Sequence, residues 1–271
     1  MFKDKFLRWD ARAGKGRGKY HKIRIYTFAE ALNEFLNLML NDLNSLSNSV
    51  IKNDVRVNLE NGSVFDMMPN VPNNFYDIII SSPPYCNRYD YTRTYALELA
   101  YLGMNEISIR ELRARMLSST VESKDKVEYL EKLYLAKYGV KELEKIEDTF
   151  NSSIILSDIL KKLESYRNTK QLNNPGIYKM VFNYFYEHTF IIYEMYRILK
   201  RGGHVYYVND NVRYEGIDIP VDLILSEFAE KLGFEVSDIF VLPQKKGNSS
   251  QQMAKHGRTE TRKCVYNWVK R

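Results

Sequence analysis

A short apolar run, Tyr76-Asp77-Ile78-Ile79-Ile80, ends abruptly in Ser81-Ser82-Pro83-Pro84-Tyr85. Two successive prolines have no N–H to give a strand ladder, so a strand must stop there. In an open α/β sheet, ligands sit beyond the carboxyl ends of the strands. That rule puts Ser82, Pro83, Pro84 and Tyr85 at the mouth of a cleft, with the prolines holding carbonyls away from the sheet. Carbonyl and hydroxyl acceptors in such a corner can hold an amino group through its hydrogens, leaving the nitrogen lone pair aimed at an electrophile. Tyr85 can stack on a flat ring. The device suits the exocyclic amine of a nucleobase drawn out of its helix, at a cost of roughly a few kcal/mol.

The rest of the composition agrees with a globular chain. Its 271 residues, 44% of them hydrophobic and 27% charged, are enough for one large domain or two small ones. No apolar run approaches the roughly 18 residues of a membrane span, and the N-terminal M-F-K-D-K-F-L-R-W-D lacks a secretory core. Cys86 and Cys264 form neither a disulfide pattern nor a metal-ligand pattern. A reducing cytoplasm is the expected location. His21, His188, His204 and His256 are scattered without ligand spacing, so no metal site is expected.

Charge is unevenly placed. Residues 1–24 hold nine Lys/Arg against two Asp, and residues 244–271 hold eight against one Glu. The net charge of +6 therefore leaves the body between them acidic. Two basic ends on an acidic body suit a polyanion, and nucleic acid is the expected partner; solvated basic tails are the alternative. Lys15 and Arg17 in the glycine-rich arm, and Lys255 and Arg258 in a later polar loop, are the expected backbone contacts.

Along the chain, Phe28 to Leu43 reads as an amphipathic helix and Val55 to Leu59 as a short strand. Residues 105–173 are helical, charged and Tyr-rich, without a β signal. Ile177 to Leu199 keeps the helical period, with His188 in its apolar stripe as a packed core histidine. Lys200-Arg201-Gly202-Gly203 reads as the end of that helix, followed by the strand H-V-Y-Y-V-N. A helix from Val221 stops at Gly233, and V-S-D-I-F-V-L and K-C-V-Y-N-W-V close the chain as strands. Strand–helix alternation with a final strand pair implies an α/β sheet with an antiparallel edge. Four segments follow: a basic arm (1–24), a first catalytic part (25–103), a helical insertion suited to target recognition (104–176) and a second catalytic part (177–271).

The corner and its surroundings also carry a resemblance. S-P-P-Y is the catalytic motif of amino-group DNA methyltransferases, and S-S-P-P-Y-C-N-R-Y-D-Y-T-R-T-Y-A-L-E-L-A-Y-L-G resembles a bacterial restriction–modification group of them. R-I-L-K-R-G-G before a strand and the terminal R-K-C-V-Y-N-W-V-K agree with it, so the resemblance covers about residues 50–103 and 177–271. It implies a Rossmann-like class I S-adenosylmethionine-dependent methyltransferase fold with a helical insertion, double-stranded DNA as substrate and S-adenosyl-L-methionine as cofactor. It further implies that Ser82, Pro83, Pro84 and Tyr85 hold and stack the target base. Asp77 caps or orients the strand, and Asp66 is a candidate cofactor contact. Arg88 and Arg93 line the next segment, either on phosphate or paired with Asp90 and Glu98. The S-P-P-Y form is more typical of enzymes acting on cytosine N4, while adenine N6 enzymes also use it.

One departure limits the resemblance. The family's F-x-G-x-G cofactor turn is absent: Gly14, Gly16 and Gly18 follow no strand, and Gly202-Gly203 follows a helix. The sheet is expected to be incomplete, without its first strands. A second polypeptide carrying the cofactor motif is the expected partner of a split cytosine-N4 methyltransferase. A non-catalytic DNA-binding remnant is the competing reading, and an RNA amino-methyltransferase, usually marked by N-P-P-Y, a weaker third.

Overall fold

The structure, a computed structural model, describes residues 27–47, 56–243 and 260–271. Lys15, Arg17, Lys255 and Arg258 lie outside the described residues, as does Val55. The chain divides into two compact units, with the boundary in sequence between Glu60 and Asn61. The first contributes helix α1 (Phe28–Ser47), opened by a capping box in which Thr27 and Glu30 exchange hydrogen bonds. Residues 56–60 are irregular, so the short strand expected from Val55 to Leu59 is not formed. Alternating Val and Leu supply a pattern there but no partner strand among the described residues supplies a ladder, and Leu59 is 91% exposed.

The second unit carries the rest. After helix α2 (Val64–Met67) and a 3₁₀ turn (Met68–Asn70) comes strand β1 (Tyr76–Ser81). Then follow the short helices α3 (Tyr91–Thr94) and α4 (Ala96–Tyr101), and α5 (Glu106–Arg115), α6 (Val127–Tyr138), α7 (Val140–Asn151) and α8 (Ile154–Asn168). Residues 106–168 thus carry only helices. The long α9 (Ile177–Ile198) leads into β2 (Leu199–Asp210), a hairpin of β3 (Val212–Tyr214) and β4 (Ile217–Ile219), α10 (Val221–Leu232), β5 (Phe234–Leu242) and β6 (Lys263–Lys270).

The main sheet has the order β1-β2-β6-β5. β1 runs parallel to β2, and β6 is antiparallel to both β2 and β5. The antiparallel pair lies at one edge as expected, with the reversed strand β6 inside and β5 outermost. This mixed α/β arrangement is consistent with a methyltransferase fold. No helix among the described residues is long and apolar enough to cross a membrane.

One sheet face is the core. Val205, Tyr207, Cys264, Tyr266 and Trp268 are buried beneath α9 and α10, and the Trp268 indole donates to Ser226 Oγ on α10 at 3.2 Å. The period-2 alternation sends Ile78 and Ile80 of β1 and Phe240 of β5 to the other face, where they are 55%, 76% and 50% exposed. Helix α9 is buried nearly all round, not along one stripe, because α6, α7 and α8 pack on it from one side and α10 and β2 from the other. His188 sits in that core, its Nδ1 2.7 Å from the Tyr184 carbonyl.

Helix α9 ends earlier than its glycines suggest. Leu199 is already extended and pairs with Tyr76, so Lys200 to Gly203 belong to β2. The glycines serve the sheet instead: Gly202 has φ +75°, and a Cβ on Gly203 would lie 2.8 Å from the Asp77 carbonyl oxygen. What closes the helix is a cation. Lys270 Nζ, at the end of β6, donates to the Tyr196 and Leu199 carbonyls at 2.7 Å each and to Asn74 Oδ1 at 2.8 Å. Arg197 donates to the Val71 and Met68 carbonyls at 2.7 Å each. Lys270→Met should strand those buried acceptors and lower unfolding stability by about 3 kcal/mol, read as a shift in urea midpoint at unchanged slope.

Candidate active site

The corner forms where the sequence puts it. β1 ends at Ser81, and the prolines carry the chain off the sheet at its carboxyl edge. The Ser82 and Tyr85 hydroxyls lie 3.0 Å apart. A tight turn follows, in which Asn87 N–H donates to the Tyr85 carbonyl at 2.7 Å and Tyr89 N–H to Asn87 Oδ1 at 3.1 Å. Cys86 is fully buried, and its carbonyl accepts from the Tyr214 hydroxyl on β3 at 2.5 Å. Burial pushes the Cys86 thiol far above its usual range, which leaves it neutral and unreactive. The hairpin thus anchors the floor of the turn. Its signal was present in V-R-Y-E-G-I-D-I, with a turn at Glu215 and Gly216 that takes both residues to positive φ, 46° and 83°.

Past the turn, Arg88 adopts a left-handed backbone (φ 63°) and its guanidinium donates to Asn173 Oδ1 at 3.1 Å, just ahead of α9. Asp90 is the cap of α3, accepting from the backbone N–H of Thr92 at 3.0 Å and of Arg93 at 3.2 Å. The same carboxylate pairs with Arg113 of α5 at 3.1 Å and with Arg93 at 3.3 Å. Arg93 also reaches Glu122 at 3.8 Å but stays mostly exposed. Arg93 makes the expected ion pair with Asp90, and Arg88 donates to the Asn173 amide.

Other expected residues fall elsewhere. Asp77 is exposed and paired with Lys200 at 2.8 Å, an orienting contact between β1 and β2. Asp66, in α2, accepts a hydrogen bond from the Tyr129 hydroxyl on α6. Burial first, and then that bond, push the Tyr129 hydroxyl up to about 12. Asp66 is therefore engaged with the helical segment.

Two residues beside Tyr85 were not singled out by sequence. Lys263, the first residue of β6, holds its ammonium 5.2 Å from the centre of the Tyr85 ring. Opposite it in the ladder stands Asp210, the last residue of β2. Tyr91 shares this corner: burial, and then Tyr85, Tyr89, Tyr95 and Asp210, raise its hydroxyl above the usual range. The corner thus brings a cluster of tyrosines together with Lys263 and Asp210 at the carboxyl edge of β1 and β2.

No protein-family model matches the chain. Over 98% of its length it is 49% identical to Type II methyltransferase M.AvaI of Nostoc sp. (strain PCC 7120), and equally to M.AvaI of Anabaena variabilis. The chain is similar to type II methyltransferases. With M.BsoBI of Geobacillus stearothermophilus it shares 41% identity, again over 98% of its length. It spans about half the length of these relatives, 54% of M.AvaI and 55% of M.BsoBI.

Asp90 offers a direct test of how the segment behind the corner is held. Burial works to raise its carboxyl, but bonds from Thr92 and Arg93 and the Arg113 charge outweigh it and hold it below the ordinary range. A lowered carboxyl stabilises the fold above its unfolded value, about 4, and loses that contribution as pH falls through the folded value. Asp90→Ala should cost about 1 kcal/mol at neutral pH, and thermal melts of variant and wild type should converge in acid.

Proposed function

We propose that the chain is the catalytic portion of a site-specific DNA methyltransferase of a restriction–modification system, acting in the cytoplasm on the N4 amino group of cytosine. The observation that carries this reading is the Ser82–Tyr85 corner at the carboxyl end of β1, in a chain 49% identical to a type II methyltransferase. On this reading Ser82 and the proline carbonyls accept the amino hydrogens, Tyr85 stacks on the extruded base, and Arg88 and Arg93 face phosphate. The helices of residues 106–168 contribute to target recognition.

S-adenosyl-L-methionine would supply the methyl group, yet the described residues do not build a seat for it. No glycine turn follows a strand in the way F-x-G-x-G requires, and the one acidic candidate, Asp66, is taken by Tyr129. The reading therefore assigns the cofactor to the half of the relatives' length that this chain does not span. The sheet supports that assignment. Among the described residues β1 is an edge strand with Ile78 and Ile80 open to solvent, so opening strands of a Rossmann-like sheet can pair beside it and cover that face.

Two outcomes follow. The chain by itself should self-associate through that edge, and co-expression with a polypeptide covering the other half of the relatives should convert it to a stoichiometric complex in size-exclusion chromatography. A monodisperse monomer that methylates DNA alone would overturn the division. In the complex, Ser82→Ala should cut methylation by about 100-fold while DNA affinity stays within about threefold. Mass spectrometry of the digested product should find N4-methylcytosine. N6-methyladenine would move the target to adenine, the other base that S-P-P-Y enzymes modify, and DNA binding without methylation would favour the binding-module reading.

A further inference from the structure

Asp210 is used by nothing described so far. The alternation of β2 buries Val205, Tyr207 and Asn209 in the core and puts Asp210 on the opposite face, level with the corner beyond Ser81. Its ladder neighbour is Lys263, whose ammonium lies over Tyr85, and Tyr91 lies within electrostatic reach of both Tyr85 and Asp210. The Asp210 backbone N–H is taken by Asn209 Oδ1 at 2.9 Å. Its side-chain Oδ1, in contrast, is enclosed yet receives no hydrogen bond from any described residue.

An enclosed carboxylate oxygen without a donor is costly, and native structures rarely leave one so. Here the missing donor has an obvious source, because whatever ring stacks on Tyr85 brings its own edge into the corner. An ionised carboxylate can only accept. It therefore favours an edge that carries an amino group and opposes one that carries a carbonyl. Cytosine and adenine present the amino group; uracil, thymine and guanine present the carbonyl at the same place on the ring.

We propose that Asp210 is a specificity-determining residue of this corner, accepting a hydrogen bond from the exocyclic amino group of the extruded base and excluding bases with a carbonyl there. The inference rests on the methyltransferase reading above and deepens it. Ser82 with the proline carbonyls takes one amino hydrogen and Asp210 the other, so two acceptors on two hydrogens fix the nitrogen. Burial lifts the Asp210 carboxyl above its usual range, and the Lys263 charge opposes that rise.

The test needs no turnover. In the two-part complex, binding is measured by fluorescence anisotropy on duplexes bearing the mapped site, with cytosine or uracil at the modified position. Wild type should prefer cytosine by about tenfold or more. Asp210→Asn, whose amide can turn a donor toward a carbonyl, and Asp210→Ala should both collapse that ratio to near one. A merely structural role would weaken binding to both duplexes alike and leave the ratio standing, and that result overturns the inference. Should the modified base be adenine, the same pair of duplexes carries adenine or hypoxanthine. A wild-type complex that methylates while Asp210→Asn keeps its ratio sinks the Asp210 assignment alone. A wild-type complex that never methylates sinks the methyltransferase reading and this inference with it.

Discussion

The junction at the end of α9 is the point on which the rest of the molecule depends. Helix ends leave carbonyls without partners, and here the chain brings two separate segments to satisfy them. Asn74 and Phe75 donate their N–H groups to the Arg197 and Ile198 carbonyls, at 3.0 and 2.7 Å. Lys270 fills the Tyr196 and Leu199 carbonyls, favourably placed at the negative end of the helix, while Arg197 reaches from the last turn to the Met68 and Val71 carbonyls of the segment before β1. The entry of β1, the exit of α9 and the end of β6 are fixed together. Since β1 is only six residues long, its entry sets where Ser82 emerges, about 20 Å away at 3.3 Å per residue. The corner is placed from the far end of the sheet.

A second constraint ties the helical segment to the same axis. Glu187, in the middle of α9, is buried and accepts from the Ser118 backbone N–H and hydroxyl at 2.8 and 2.5 Å and from Lys126 at 3.0 Å. Burial alone would neutralise this acid and raises its carboxyl above the usual range, while Lys126 and Ser118 counter it. A buried charge with all its partners from one loop specifies position more than it adds stability. Residues 118–126 cannot slide on α9 without stranding the carboxylate. The segments on either side of the corner thus share one helix as their reference.

Much of this was readable because the decisive residues act locally. Pro83-Pro84 stops a strand wherever it occurs, and Gly233, at φ 113°, stops α10 for the same kind of reason. The two closing strands show their alternation openly. What escaped the sequence depends on partners far away in the chain. Leu199 leaves the helix because Tyr76 is there to pair with it, so the basic residues and glycines that read as a last turn and stop belong to β2 instead. Val57 and Leu59 alternate like a strand and have no strand to join among the described residues. Lys263 and Asp210 reach the corner only through the register of β2 against β6, which no spacing within either strand encodes.

The internal position of β6 bears on how the molecule comes into being. It follows every other strand of the sheet in sequence, yet it holds β2 and β5 together. As the chain leaves the ribosome, β5 has no neighbour and the sheet has no middle until residues 263–270 arrive. The Lys270 ammonium that closes α9 and the Lys263 side chain beside Tyr85 come in the same short stretch. Contacts of such long sequence separation are slow to form. Helix α9 and its surrounding helices can gather during synthesis, while the sheet and the corner are completed in one late step.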